Sequence, residues 1–344
     1  MQTGMLFFTR IRLLVTVAGL LFVTGASAAA VDCARMAVLD YASHDGTVEN
    51  LRRLFRAGQF AQLDEALDCL HQSPRRFTSG RTGASAVYWL FRREMPAPGT
   101  TPEASNAMLA WKKQRPQSMF VRFGELRVQY GTAWNARGSD LARNVPEEGW
   151  RLFHEALGQV EQAILALPSQ MRNSPIFQNL LLAVVLDMPK SRVKPLAVFE
   201  EGVRRWPEYY DFYEVSLTRL GPMWGGSWEA VDQFIAHWSK HLSKTEGDSM
   251  YARLYLSVIA AGARVRDTRI SWPRLRASLD DLVSRYPDPV HKNLAASYAC
   301  GFQDVAYLKV ALQRIRPEEL APASWLQGTD PESCMRLAGM SSRP

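Results

Sequence analysis

Between residues 195 and 242 the apolar positions fall at helical spacing, and the breaks between them carry turn residues. Leu196, Phe199 and Val203 share one face of a first helix. Val231, Phe234, Ile235, Trp238 and Leu242 repeat at the 3, 4, 7 and 11 offsets of an apolar stripe on another. Trp206-Pro207 punctuates the first pattern, and Gly221-Pro222-Met223-Trp224-Gly225-Gly226-Ser227 separates it from the second. A helix, an aromatic-Pro turn and a second helix make the unit around which the chain is organised.

The same unit recurs. Leu51, Leu54 and Phe55, an Ala57-Gly58 break, then Phe60, Leu63 and Leu67 predict a helical hairpin over 50–70. Residues 71–83 are polar and basic and are expected to form a solvated loop, with an anion or a membrane headgroup held by Arg75, Arg76 and Arg81 as the other reading. A helix is expected over 84–94, and Met95 to Pro102 reads as a linker. Beyond it, Phe120, Phe123, Tyr130 and Trp134 mark a helix ending at Arg137-Gly138. Phe153, Leu157, Val160, Ile164 and Leu167 form a seam suited to an antiparallel neighbour, and Phe177 to Val185 forms the next stripe. Pro168 to Pro207 is 39 residues, Pro207 to Gly247 is 40 and Gly247 to Pro287 is 40. A two-helix period near 40, with no convincing period-two stretch, predicts an all-α fold: a right-handed superhelix of helical hairpins, an α-solenoid.

The first residues are set apart from that pattern. Arg10 and Arg12 precede an apolar run from Leu13 to Val23, and Ala26-Ser27-Ala28 is a small-residue cleavage site. The run is shorter than the roughly 20 residues that span a bilayer. The organisation expected is a signal peptide over 1–28, an N-terminal helical segment over 29–95 and a helical-repeat domain over 103–344. The destination is the periplasm or the exterior, with no stable membrane insertion after cleavage. Cys33 follows Val31-Asp32 rather than a small residue, which argues against a lipid anchor. Without Arg10 and Arg12 the formal charge falls from +7 to +5, too mild to call for nucleic acid.

In an oxidising compartment the four cysteines have reason to pair. No two stand at CxxC spacing, and three connectivities are possible. One pair lies near each end, so Cys33–Cys69 and Cys300–Cys334 are expected; buried free thiols are the other reading.

Little in the sequence carries chemistry. His237 and His241 have the spacing of two metal ligands on a helix face, but no third ligand is indicated, so no metal or other cofactor is expected. Trp134 with Arg137 suggests an indole platform beside a guanidinium, suited to a carboxylate or a sugar. The plainer reading is a core Trp at a helix end with Arg137 on the last carbonyls. Trp224 and its glycines divide likewise between ligand contact and a turn in which Ser227 caps the next helix. The acidic pairs Glu147-Glu148, Glu200-Glu201 and Asp280-Asp281 point apart on helices and read as solvated faces. No GxSxG or phosphate-cradling glycine loop occurs, so no catalytic residue is assigned.

In general form the chain resembles tetratricopeptide-type repeats, with a repeat longer than theirs. More narrowly it resembles a bacterial family of exported proteins catalogued as a domain of unknown function. The residues that carry this are Leu54-Phe55, Ala57-Gly58, Phe60 and Leu63; Trp111, Pro116 and Ser118; Tyr130, Trp134, Arg137 and Gly138; Gly149-Trp150; and Pro222 with Trp224 to Ser227. The resemblance implies a helical-repeat fold and no activity. Two functions are weighed. One is a scaffold whose concave face holds a protein or peptide, with anchors on the aromatic segments 206–213 and 224–238. The alternative is a cell-envelope hydrolase using carboxylates from separate repeats, recognisable by two facing carboxylates with raised pKa values.

Overall fold

The computed structural model describes Cys33 and residues 36–96, 100–140 and 142–340. The stretch on which the export expectation rests, 1–28, lies outside the described residues. Among the described residues there are seventeen α-helices, and the only β pairing is one isolated bridge between Arg76 and Thr82. The fold is all-α.

The chain opens with α1 (His44–Arg56), α2 (Phe60–Gln72) and α3 (Gly83–Glu94). Ser43 caps α1 by accepting from Gly46 N–H, and Gly58 turns into α2 with φ of 70°, where a side chain would be strained. After α4 (Pro102–Gln114) come α5 (Met119–Arg137), α6 (Glu147–Leu165), α7 (Ser169–Arg172) and α8 (Pro175–Leu186). Then follow α9 (Pro195–Arg205), α10 (Asp211–Leu220), α11 (Trp228–His241), α12 (Ser243–Glu246) and α13 (Ser249–Ala260). The last are α14 (Trp272–Arg285), α15 (Pro289–Gly301), α16 (Val305–Gln313) and α17 (Pro331–Leu337). Proline occupies the first turn of α4, α8, α9, α14, α15 and α17, where its missing N–H costs nothing.

The expected turns fall between helices: Pro168 between α6 and α8, Pro207 between α9 and α10, Gly247 between α11 and α13, Pro287 between α14 and α15. Helices pack mostly on their chain neighbours, α5 on α6, α8 on α9 and α10, α13 on α11 and α14, and α15 on α14 and α16. The stripe on α9 is shifted from its expected face. Val198, Phe199, Gly202 and Val203 are buried, whereas Leu196 is 65% exposed.

Residues from Cys33 onward cluster as one compact unit. Trp111 of α4 is fully buried and stacks between Phe60 of α2 and Phe91 of α3, with centroids 5.8 and 6.0 Å apart. Both expected disulfides are present: Cys33–Cys69 with Cα atoms 5.5 Å apart, and Cys300–Cys334 with 5.7 Å. Near the other end, buried Asn293 is fully engaged. It donates to the Pro289 and Glu319 carbonyls and accepts from Ala321 N–H and Trp325 Nε1, which latches 319–325 onto α15. Glu319, held by Lys292 and Arg316 against the cost of its burial, falls to about 2.

The basic loop after α2 departs from expectation. It is an internal clasp, not a solvated loop. Phe77 is buried against Tyr41, and Gly80, with φ of 80°, sits so close to the Tyr286 ring that a Cβ there would come within 2.7 Å of it. Arg76 Nη1 donates to Glu246 Oε1 at 2.9 Å and to the hydroxyls of Tyr286 and Tyr210 at 2.9 and 3.2 Å. Thr78 donates to Asp288, and Arg253 reaches the Ser79 carbonyl. Burial alone would raise the Glu246 carboxyl, but bonds from Tyr286, Arg76 and Tyr210 hold it below its ordinary range. Arg75 alone stays outside, over the Tyr41 ring. The acidic pair Asp280-Asp281 is likewise in use: Asp281 accepts the Asp248 and Ser249 N–H groups at the start of α13, and Asp280 takes Arg314.

Candidate functional site

An open groove of about 630 Å³ with converging polar groups is lined from α3, α5, α10, α13 and the short turn Pro222–Trp224. Helix α5 supplies a stripe at successive offsets of 3, 4 and 3: Arg127, Tyr130, Trp134 and Arg137. These positions share a helix face, so one side of the groove is a single stripe of that helix. From α3 come Tyr88, Trp89 and Arg92, with Arg81 just before its first turn. From α10 come Asp211, Glu214 and Arg219, and Met223 and Trp224 lie beyond it.

The three residues singled out from sequence, Trp134, Arg137 and Trp224, meet here. The Trp134 and Trp224 rings pack edge to face at 5.6 Å, and Arg137 lies within 6 Å of both and of Trp150. The helix-end reading of Arg137 also holds, since its Nη1 donates to the Gly138 and Asp140 carbonyls at 3.0 and 3.1 Å. Ser227 caps α11 by accepting from Ala230 N–H at 3.1 Å, and Gly226 is required because a Cβ would strike the Leu220 carbonyl. Trp224 itself is 38% exposed at the groove edge, stacked over the Arg219 guanidinium at 4.1 Å. The turn reading of this stretch and an exposed indole at the groove edge therefore coexist.

Five guanidinium groups line the groove, and they divide by partner. Arg219 forks onto Asp187, with Nε–Oδ1 at 2.5 Å and Nη2–Oδ2 at 2.9 Å, and Asp187 also accepts from Tyr130. Arg81 pairs with Glu214 at 2.5 Å and Asp211 at 3.5 Å. Among the described residues, Arg92, Arg127 and Arg137 have no carboxylate within 4 Å. Arg92 is exposed and lies over the Trp89 ring at 4.7 Å. Arg127 is 3% exposed; its Nη2 donates to the Met95 carbonyl, and its Nε has no hydrogen-bond partner among the described residues. Trp134 Nε1 and Arg137 Nε likewise have no partner among the described residues. Sequence reasoning missed Arg127, although its offset of 7 residues from Trp134 was there to be read.

Two acids sit at the other side. Asp211 Oδ1 accepts from Trp89 Nε1 at 2.9 Å. Burial pushes Asp211 up to about 6; Arg81 opposes the rise and the charge of Glu214 adds to it. Its folded state therefore holds a proton more tightly than the unfolded chain. The associated stability is full below the ordinary carboxylate range and is lost as pH rises from about 4 to about 6. Asp211→Asn should remove that loss, leaving the variant about 1–2 kcal/mol more stable than wild type at pH 7.5 and level with it at pH 4. Urea titrations at both pH values measure this; a variant weaker at pH 7.5 would show that the Arg81 pair outweighs the burial.

Other features gather less. The His237 and His241 rings stack at 6.2 Å, and no group of three metal-ligating side chains forms among the described residues. Tyr209, Tyr210 and Tyr213, expected as partner anchors, are core residues at 1% exposure or less. No described helix is long and apolar enough to cross a membrane. No family model matches the chain, and comparison with curated proteins and with solved structures gave no match. The family resemblance therefore rests on the motifs alone.

Proposed function

We propose that the chain is a periplasmic or secreted scaffold that holds a protein or peptide partner in this groove. The repeats would form a right-handed, tetratricopeptide-like superhelix, a reading supported by the 39- and 40-residue spacing of its turns and by neighbour-on-neighbour packing. Export is supported by the leader-like pattern over 1–28 and by two disulfides, which persist in oxidising compartments. The observation that carries the binding reading is the convergence of Trp134, Arg137 and Trp224 with two further arginines that lack a carboxylate. Aromatic and arginine side chains dominate the energetics of protein recognition.

One observation favours the hydrolase alternative, namely Asp211 raised to about 6 in a recess. Its geometry argues the other way. Asp211 and Glu214 come from one helix, one turn apart, and both are bound to Arg81 rather than facing each other across the groove. An acid and a base from separate repeats are not brought together there.

Replacing Trp224 with a photo-reactive benzoylphenylalanine tests the reading. Irradiation in cells should give a discrete adduct with another protein, and none when Trp134 is also changed to Ala. The companion variant Trp224→Ala should lose only about 1–2 kcal/mol of stability, less than a fully buried Trp would, while partner capture falls. Wild-type capture with a large stability loss would make Trp224 structural and remove this proposal.

A further inference from the structure

We infer that the groove takes an acidic, aromatic-containing peptide segment, with Arg127 as the buried cation that meets its carboxylates. The inference rests on the partner-binding reading and specifies the partner's chemistry. A guanidinium keeps its charge when buried, and a buried charge without a counter-charge is costly. Arg127 is in that condition at 3% exposure, with Nε unpartnered and no described carboxylate within reach. Elsewhere in the same recess the chain supplies the missing anion itself, Asp187 to Arg219 and Glu214 to Arg81. The Arg127–Arg137 stripe is left to be completed from outside.

The unpartnered atoms define what completes it. Arg127 Nε, Trp134 Nε1 and Arg137 Nε are all donors, so the ligand must bring acceptors. A planar carboxylate matches a guanidinium fork and carries a single charge. A phosphate would also be attracted to the stripe, but it brings nothing for the rings that stand between the cations. Between the cations stand Tyr130, Trp134, Trp224 and the exposed Met223, a surface for rings and soft apolar side chains. About 630 Å³ lies within the range of roughly 300–1,000 Å³ for small-ligand recesses, so a few residues of an extended segment fit and a folded domain does not.

The test uses the purified, disulfide-intact protein and biolayer interferometry with random Glu/Tyr copolymer. Random Lys/Tyr copolymer, sodium polyphosphate and an equal residue concentration of free glutamate plus tyrosine serve as the other arms. The Glu/Tyr copolymer should bind and the other three should not compete with it. Arg127→Gln should weaken it at least tenfold, the order expected on removing one partner of a buried charge pair. Should that variant fail to fold, Arg92→Gln on an exposed side chain should still weaken binding by about threefold and leave the melting temperature unchanged. No binding of the acidic copolymer, equal binding of polyphosphate, saturation by the free amino acids, or wild-type affinity in the folded variants would each overturn the inference. A Trp224 cross-link to a segment free of acidic residues would overturn it too, while leaving the partner-binding reading intact. The absence of any protein adduct would remove both.

Discussion

Changing Arg76 to Met is expected to destabilise the protein by about 3 kcal/mol at pH 7, the lower end of the range for breaking a buried ion pair. The lower end applies because Arg76 is itself 32% exposed, whereas Glu246 is buried at 2% side-chain exposure. What costs is the carboxylate left behind, held only by the hydroxyls of Tyr210 and Tyr286. For a chain of this size the loss corresponds to about 5 °C in Tm. The pH dependence separates this cause from lost packing. In wild type Glu246 is held below its ordinary range, so the stability it contributes is present above that range and is lost as pH falls. Without Arg76, burial dominates and raises the carboxyl, so the variant regains stability as the group protonates. The deficit against wild type should therefore shrink between pH 7 and pH 4, and Arg76→Met combined with Glu246→Gln should recover most of it. A deficit independent of pH would mean that the clasp holds by shape alone.

The clasp is also where sequence reading fell short, for a definable reason. Arg76 and Arg81 stand in a stretch with every local mark of a solvated loop, and their carboxylate and tyrosine partners lie 130 to 210 residues away. Nothing in the period of the helices indicates which loop returns to the core. The hairpins were legible because their marks are local: Ser227 ahead of α11, Gly58 between α1 and α2, and proline in the first turn of six helices. The groove was legible in pieces. Trp134 and Arg137 stood out as a pair and Trp224 by its glycines, but their meeting depends on where α10 ends relative to α5, which spacing does not encode. Tyr209, Tyr210 and Tyr213 show the converse error. An aromatic count alone had suggested partner anchors, and all three rings are taken into the core.

Removing the Cys300–Cys334 bond by changing both residues to Ala is the second large effect expected, and it should be local before it is global. The bond closes a loop of 34 residues, worth about 4 kcal/mol in the chain-entropy account. Its outer end sits in α17, a helix of 7 residues that is too short to persist unless it is tied to something. The tie is the disulfide plus the burial of Pro331, Cys334 and Met335 against α15 and α16. Upstream, the 319–325 stretch has fastenings of its own in Asn293 and in Glu319 beneath Lys292 and Arg316. Opening should therefore begin in α17 and stop at Trp325. In hydrogen exchange the α17 amides of the double variant should exchange about a hundredfold faster than in wild type, roughly 3 kcal/mol of lost protection. Amides over 319–325 should change little. Uniform acceleration across both stretches would mean that the bond stabilises the whole chain through its unfolded state, and unchanged α17 exchange would mean that burial alone holds the helix.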